Sequence, residues 1–290
     1  MIKEIKNSFI RLRVDTLGAQ IKSLVMNNYE YMWQGDSKYW GKTAPNLFPF
    51  IGRLYGGKYQ YRGKEYEMGA HGFIKLYDFK VSSEGSDYLE LSLDSNKETY
   101  LIYPFSFNIK FRFKLIDNRV EIRATVLNKG ENAMHFSLGG HPGFNTPIDK
   151  VGFNDYYLEF SEDCRPIKEL MSPSLFMANK NEELELAGNR IYNLTHDIFN
   201  KEDTIIIKDM AKGVTLASHS SKRRVSLEYS NMKYLGIWQS PNKKSPYLCI
   251  EPWSSIPGSD NTIMDIEKSD NYIHLNSNSE YINTWSIEVE

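Results

Sequence analysis

The chain reads as an all-β protein, a large antiparallel sandwich, on three observations. Apolar and polar residues alternate along much of its 290 residues. Aromatics, which favour strands, reach 13%, with 19 Tyr and 15 Phe. Helical periodicity is confined to short stretches. In chain order, strands are expected at Ala19–Met26 and Tyr29–Trp33. A hairpin follows, Lys58–Tyr61 with Lys64–Met68 across Arg62-Gly63, and then Phe79–Ser83 with Tyr88–Leu93 across Glu84–Asp87. Ser95-Asn96-Lys97-Glu98 looks like a helix cap with one or two turns behind it, stopped by Pro104. The clearest alternation is Phe107 to Leu115, apolar at every odd position. It resumes on even positions at Val120, Ile122, Ala124 and Val126, so Asp117-Asn118 closes a hairpin with one buried face. Further strands are expected at Thr204–Lys208, Val214–Ala217, Arg223–Tyr229, Tyr234–Gln239, Tyr247–Glu251 and Glu280–Val289, with short turns at Glu182–Ala187 and Asp260–Ile266. This is more strand than one ordinary sandwich holds, which suggests a doubled one in a single domain over residues 1–290.

Composition narrows the function. Lys+Arg number 35 against 37 Asp+Glu, a net charge of -2. That balance argues against nucleic acid or a polybasic membrane surface as partner. No stretch of about eighteen apolar residues exists to span a bilayer. The opening MIKEIKNSFIRLRVD lacks the apolar core and small-residue site of a secretory signal. The two cysteines, Cys164 and Cys249, have no metal spacing, so a reduced, cytoplasmic protein is expected.

Six histidines are present. His71 lies in Gly69-Ala70-His71-Gly72-Phe73 and His141 in Gly139-Gly140-His141-Pro142-Gly143-Phe144. Glycine and proline break the strand at both places, which lets an imidazole point into a cavity. His135 shares a face with Ser137 and is open to a cross-strand, solvated or site role. His196, His219 and His274 read as surface residues. Among the carboxylates, Glu251 stands out, because it ends the apolar strand Tyr247-Leu248-Cys249-Ile250 before Pro252-Trp253. A carboxylate there must be solvated, paired or used, and burial would raise its pKa toward that of a general base. Trp253 offers a flat face suited to a sugar ring. Arg53 closes the apolar run Phe48-Pro49-Phe50-Ile51-Gly52 and can donate several hydrogen bonds. His71, His141 and Glu251 could in principle ligate a metal, but no HxH or HxxxH spacing supports that, so no metal and no cofactor is expected. GxSxG, GxGxxG and a phosphate loop are all missing.

Together these pieces resemble the aldose 1-epimerase (galactose mutarotase) family, in order over nearly the whole chain. Gly52-Arg53-Leu54-Tyr55-Gly56-Gly57-Lys58-Tyr59 with Gly63-Lys64-Glu65-Tyr66 is similar to the family's arginine-bearing hairpin. His71-Gly72-Phe73, His141-Pro142-Gly143-Phe144 and Ile250-Glu251-Pro252 are similar to its two histidine motifs and to the segment carrying its base. The resemblance implies a β-supersandwich with a sugar cleft on one sheet. It further implies Glu251 as base, His141 as acid, and His71 and Arg53 as contacts to hydroxyls or the ring oxygen. A substrate-binding aspartate is implied as well, with Asp203 the first choice and Asp197 the second. A single glycine after His71, and the short distance from Gly63, are more similar to the LacX-like branch, or to hexose-6-phosphate mutarotases, than to typical galactose mutarotases.

The reaction so implied opens an aldohexose to its aldehyde and recloses it as the other anomer. Ionised Glu251 would take the C1 hydroxyl proton, and protonated His141 would protonate the ring oxygen from the opposite side of the hemiacetal. The partner is a small sugar, free or phosphorylated, and Lys75 beside the first histidine motif is the cation a phosphate would use, along with Arg53. A non-catalytic sugar-binding protein is the alternative of another class. A glycosidase ranks lower, because a second motif-borne carboxylate is not evident.

Overall fold

The computed structural model describes residues 1–146 and 151–290. Two broad sheets face each other. In the nine-stranded sheet the order is Ile191–Asn193, Tyr156–Phe160, Gly213–Ser218, Val225–Glu228, Glu280–Val289, Arg119–Asn128, Phe107–Ile116, Tyr88–Asp94 and Lys80–Glu84. The eight-stranded sheet runs Met177–Glu183, Ile167–Met171, Thr204–Lys208, Tyr234–Trp238, Tyr247–Trp253, Gly139–Gly140 and Asn46–Leu47, with Gly143–Asn145 also paired to Tyr247–Trp253. Every pairing within both sheets is antiparallel. The four strands Ile2–Lys6, Ile10–Asp15, Gln20–Met26 and Tyr29–Glu30 form a separate small sheet.

The alternation seen in the sequence becomes the core. Phe107, Ile109, Phe111, Phe113 and Leu115 are buried, and across the hairpin Ile109 opposes Val126, Phe111 opposes Ala124 and Phe113 opposes Ile122. They pack in one cluster with Ile205, Ile207, Leu235, Ile237, Leu248 and Ile250 of the other sheet. Each such side chain contributes about 1.5–3 kcal/mol on leaving water. Residues of the opposite parity on the eight-stranded sheet, Ile206, Trp253, Tyr247 and Cys249, lie in two smaller clusters on its other face. That second face carries the site.

Most expected strands form, several with shifted ends. Thr204–Lys208 and Glu280–Val289 match their expected ranges. Arg62 and Gly63 both have positive φ, 51° and 73°, as a tight two-residue hairpin requires. Asn96 caps the helix Lys97–Ile102 by accepting from the Glu98 and Thr99 amides. Four expectations need correction. The strand begun at Tyr29 stops at Glu30. Glu182 and Glu183 end the edge strand Met177–Glu183, which is polar and exposed at its end and shows no alternation. The turn expected within Asp260–Ile266 is confined at its start to Asp260 and Asn261, while Met264 and Asp265 form a strand, parallel to Lys58–Tyr61. Finally, Tyr247–Glu251 does not end at the glutamate but continues through Pro252 to Trp253. The Ile250 amide bonds the Pro142 carbonyl, so by the period of two the donor Pro252 lacks would face the same irregular neighbour.

The loops Phe48–Arg53 and Gly69–Phe73 are zipped together. The Phe73 amide donates to the Phe48 carbonyl at 3.0 Å and the His71 amide to the Gly52 carbonyl at 2.7 Å. Gly72 makes this approach possible: φ is +66°, and a Cβ would lie 2.0 Å from the Phe48 carbonyl oxygen. Gly72→Ala is expected to destabilise the protein by about 2–4 kcal/mol, measured as a lowered urea midpoint.

Candidate active site

The eight-stranded sheet brings His141 and Glu251 together by strand register. Gly139 pairs with Trp253 and Gly143 with Cys249, which sets His141 opposite Glu251. Pro142 breaks the ladder between these pairs, and the His141 amide turns away to the Pro45 carbonyl at 3.0 Å. On its other side Glu251 faces Gly236, which has no side chain to cover it. The imidazole Nε2 stands 3.2 Å from Glu251 Oε2, within ion-pair distance but without hydrogen-bond geometry. Glu251 Oε2, His141 Nδ1 and Trp253 Nε1 are buried and have no hydrogen-bond partner among the described residues.

The pair lies in a cleft of about 390 Å³, within the range of small-ligand sites. Arg53, His71, Asp203, Trp253 and Lys75 line it too, so the sequence-predicted site residues converge, although Asp197 is exposed and does not line it. Asp203 ends the helix His196–Glu202 with φ 58°, and its Oδ2 accepts from the Thr204 hydroxyl at 3.1 Å. The Arg53 carbonyl is pinned by the Gly258 amide at 2.8 Å, while its guanidinium lies over the Phe176 ring. Trp253 is 2% exposed, its ring held against Gly236 and Gly139, so it forms the floor rather than an open platform. The walls are Trp40, stacked on His141 at 4.9 Å, and Trp238, edge-on to it at 5.7 Å. Sequence reasoning missed both, because neither carries a motif. It also missed Lys42 on the rim and the helix that presents Asp203.

Two geometric details bear on chemistry. The Gly52 amide donates to His71 Nδ1 at 3.1 Å, so Nδ1 is an acceptor. Burial, helped by Lys75, Lys42 and Arg53, pushes this imidazole down to about 3, so it is neutral at pH 7 with its proton on Nε2, a ready donor. His141 and Glu251 sit side by side, 3.2 Å apart. Burial drives the Glu251 carboxyl well up. The Trp253 indole N–H offsets part of the rise, although it stands outside hydrogen-bond geometry, and Asp203 adds to it. Burial, then the neighbouring His71, drives His141 down. Both directions favour a carboxylic acid beside a neutral imidazole. Carboxylate beside imidazolium holds the same single proton, moved across 3.2 Å.

Of the four remaining histidines, His219 lies against the Tyr157 ring at 4.6 Å, and the other three are engaged elsewhere. His135 Nδ1 meets His274 Nδ1 at 2.9 Å across a strand pair, and His196 stacks on Phe153 and meets Gln239 Oε1 at 2.9 Å. The His71, His141 and Glu251 set weighed for a metal is not the convergent one, as Cys249 takes the place of His71. Neither cysteine is in a disulfide. Among the described residues no helix is long and apolar enough to cross a membrane.

The sequence model for aldose 1-epimerase matches residues 2–278. The chain belongs to the aldose 1-epimerase family. It is 28% identical over 267 residues to the plasmid-encoded protein LacX of Lactococcus lactis, covering 88% of each chain. A galactose mutarotase related enzyme from Lactobacillus acidophilus superposes with a TM-score of 0.94 at 31% identity, over 100% of this chain and 97% of the other. A galactose mutarotase-like protein from Lactobacillus casei does so with 0.93 at 29%, over 100% of both. The match to LacX agrees with the LacX-like branch expected from the sequence. Family membership and these neighbours support a mutarotase function in general terms, hence an isomerase acting on a sugar.

Proposed function

We propose that this aldose 1-epimerase family member interconverts the α and β anomers of an aldohexose with Glu251 as base and His141 as acid. The observation that carries the reading is the buried, partner-free contact of these two groups at 3.2 Å on a cleft floor. A sugar whose hydroxyls donate to the carboxyl favours its ionised form and moves the shared proton to His141. Glu251 then takes the C1 hydroxyl proton as the ring C–O bond breaks, and His141 protonates the departing ring oxygen. Rotation about C1–C2 exposes the other carbonyl face, and the two transfers run in reverse on closure. Each transfer contributes roughly 10²–10⁴-fold. His71 Nε2–H, Arg53 and Asp203 hold the hydroxyls, and no step calls on a cofactor. Polarimetry of freshly dissolved glucose and galactose tests this. The protein accelerates the approach to equilibrium rotation, whereas a pure sugar binder leaves the rate unchanged.

A second reading, a hexose 6-phosphate as substrate, is favoured by one observation. Lys42, Arg53 and Lys75 line the cleft, and among the described residues no carboxylate lies within ion-pair distance of any of them. Burial, then Lys42, lowers the Lys75 ammonium to about 8, while its Nζ donates to the Ala70 carbonyl. The cation is present below that pH and lost above it. A phosphate is already doubly charged there. On this reading the KM for a 6-phosphate rises several-fold between pH 7 and 9, the KM for the free sugar does not, and Lys75→Met removes the difference. Steady-state anomer exchange at both pH values decides it.

A further inference from the structure

The residue beneath the catalytic pair has a chemistry that mutarotation does not use. Cys249 precedes Glu251 by two positions on one strand, so both side chains leave the same face of the sheet. Its thiol is fully buried, and the ligating atoms of His141, Cys249 and Glu251 all lie within 4.8 Å of one another. We infer that these three side chains form a site for a thiophilic divalent cation, Zn²⁺ in particular, whose binding switches the acid/base pair off.

The spacing fits. Bonds of about 2.0–2.3 Å in a tetrahedral zinc site separate its ligand atoms by roughly 3.3–3.7 Å. His141 Nε2 and Glu251 Oε2 already stand 3.2 Å apart. The thiol has at most about 1 Å to close. Glu251 Oε2 is buried with no hydrogen-bond partner, on a residue 1% exposed, which supplies an acceptor aimed at the shared point. Thiolate, carboxylate and neutral imidazole sum to two negative charges, so a divalent cation yields a neutral set in a place where a net charge is costly. Imidazole and thiolate select zinc over magnesium or calcium. Three protein ligands leave a fourth position for water from the cleft. On binding, the thiol proton and the proton shared by His141 and Glu251 both pass to solvent. The cation then occupies the lone pairs that move protons to and from the sugar, so cation and substrate exclude each other. That last step rests on the mutarotase reading; the site itself does not.

Cobalt(II) is the probe, because a thiolate ligand gives it a near-ultraviolet charge-transfer band. Metal-stripped wild-type protein should develop that band with one equivalent of Co²⁺ and lose it on adding Zn²⁺. Cys249→Ala and Cys249→Ser should abolish the band, and Cys164→Ala should keep it. Zn²⁺ should slow anomer exchange by wild type more than tenfold and competitively with sugar. The Cys249 variants, with basal exchange unchanged, should need at least about tenfold more Zn²⁺. A missing band, a band that survives loss of Cys249, or acceleration by Zn²⁺ overturns the proposal. A chain without anomer exchange sinks the mutarotase reading and leaves the cobalt band to judge the site.

Discussion

Glu251→Gln is expected to lower the rate of anomer exchange by about 10²–10⁴-fold while the fold stays intact. Glutamine keeps the shape and one acceptor but cannot take up a proton, so the C1 hydroxyl has no base. Glu251 is 1% exposed and among the described residues makes no hydrogen bond through Oε2. Its removal therefore takes away a buried ionisable group rather than a support. The thermal midpoint should be unchanged or higher, and sugar binding by titration should persist. A variant that unfolds would say the carboxyl is structural; one that keeps full rate would remove it from the mechanism.

His141→Asn is expected to have a similar effect on rate, again about 10²–10⁴-fold, with a cost in stability as well. The imidazole stacks on Trp40 at 4.9 Å and meets Trp238 edge-on at 5.7 Å. Losing those contacts costs about 1 kcal/mol, visible as a lower midpoint in denaturant. The two groups share one proton, so the Glu251→Gln/His141→Asn double variant should be barely slower than either single one. Full multiplicative loss would mean that they act separately.

The sheets were legible in the sequence wherever one face is buried. Phe107 to Leu115 alternates because the odd side chains meet the opposite sheet. The edge strand Met177–Glu183 was not, because a polar, exposed edge leaves no alternation to read. Glu251 and His141 could be read because each interrupts an apolar context with a charge or a glycine-proline break. Their contact could not be, since it depends on a register set by the pairs Gly139–Trp253 and Gly143–Cys249, more than a hundred residues apart in the chain. For the same reason their side-by-side placing was not legible in the sequence. Trp40 and Trp238 reach the cleft only through tertiary packing, and the cations Lys42 and Lys75, neither paired with a carboxylate among the described residues, gain meaning only once they line one cleft.

The most direct measurement is proton NMR exchange spectroscopy on glucose, galactose and their 6-phosphates at anomeric equilibrium, with wild type and Glu251→Gln side by side. The account predicts exchange cross-peaks between the α and β C1 protons of at least one sugar with wild type, and their disappearance with the variant. Cross-peaks of equal strength from both proteins, or none from wild type with any sugar that it binds, would contradict it.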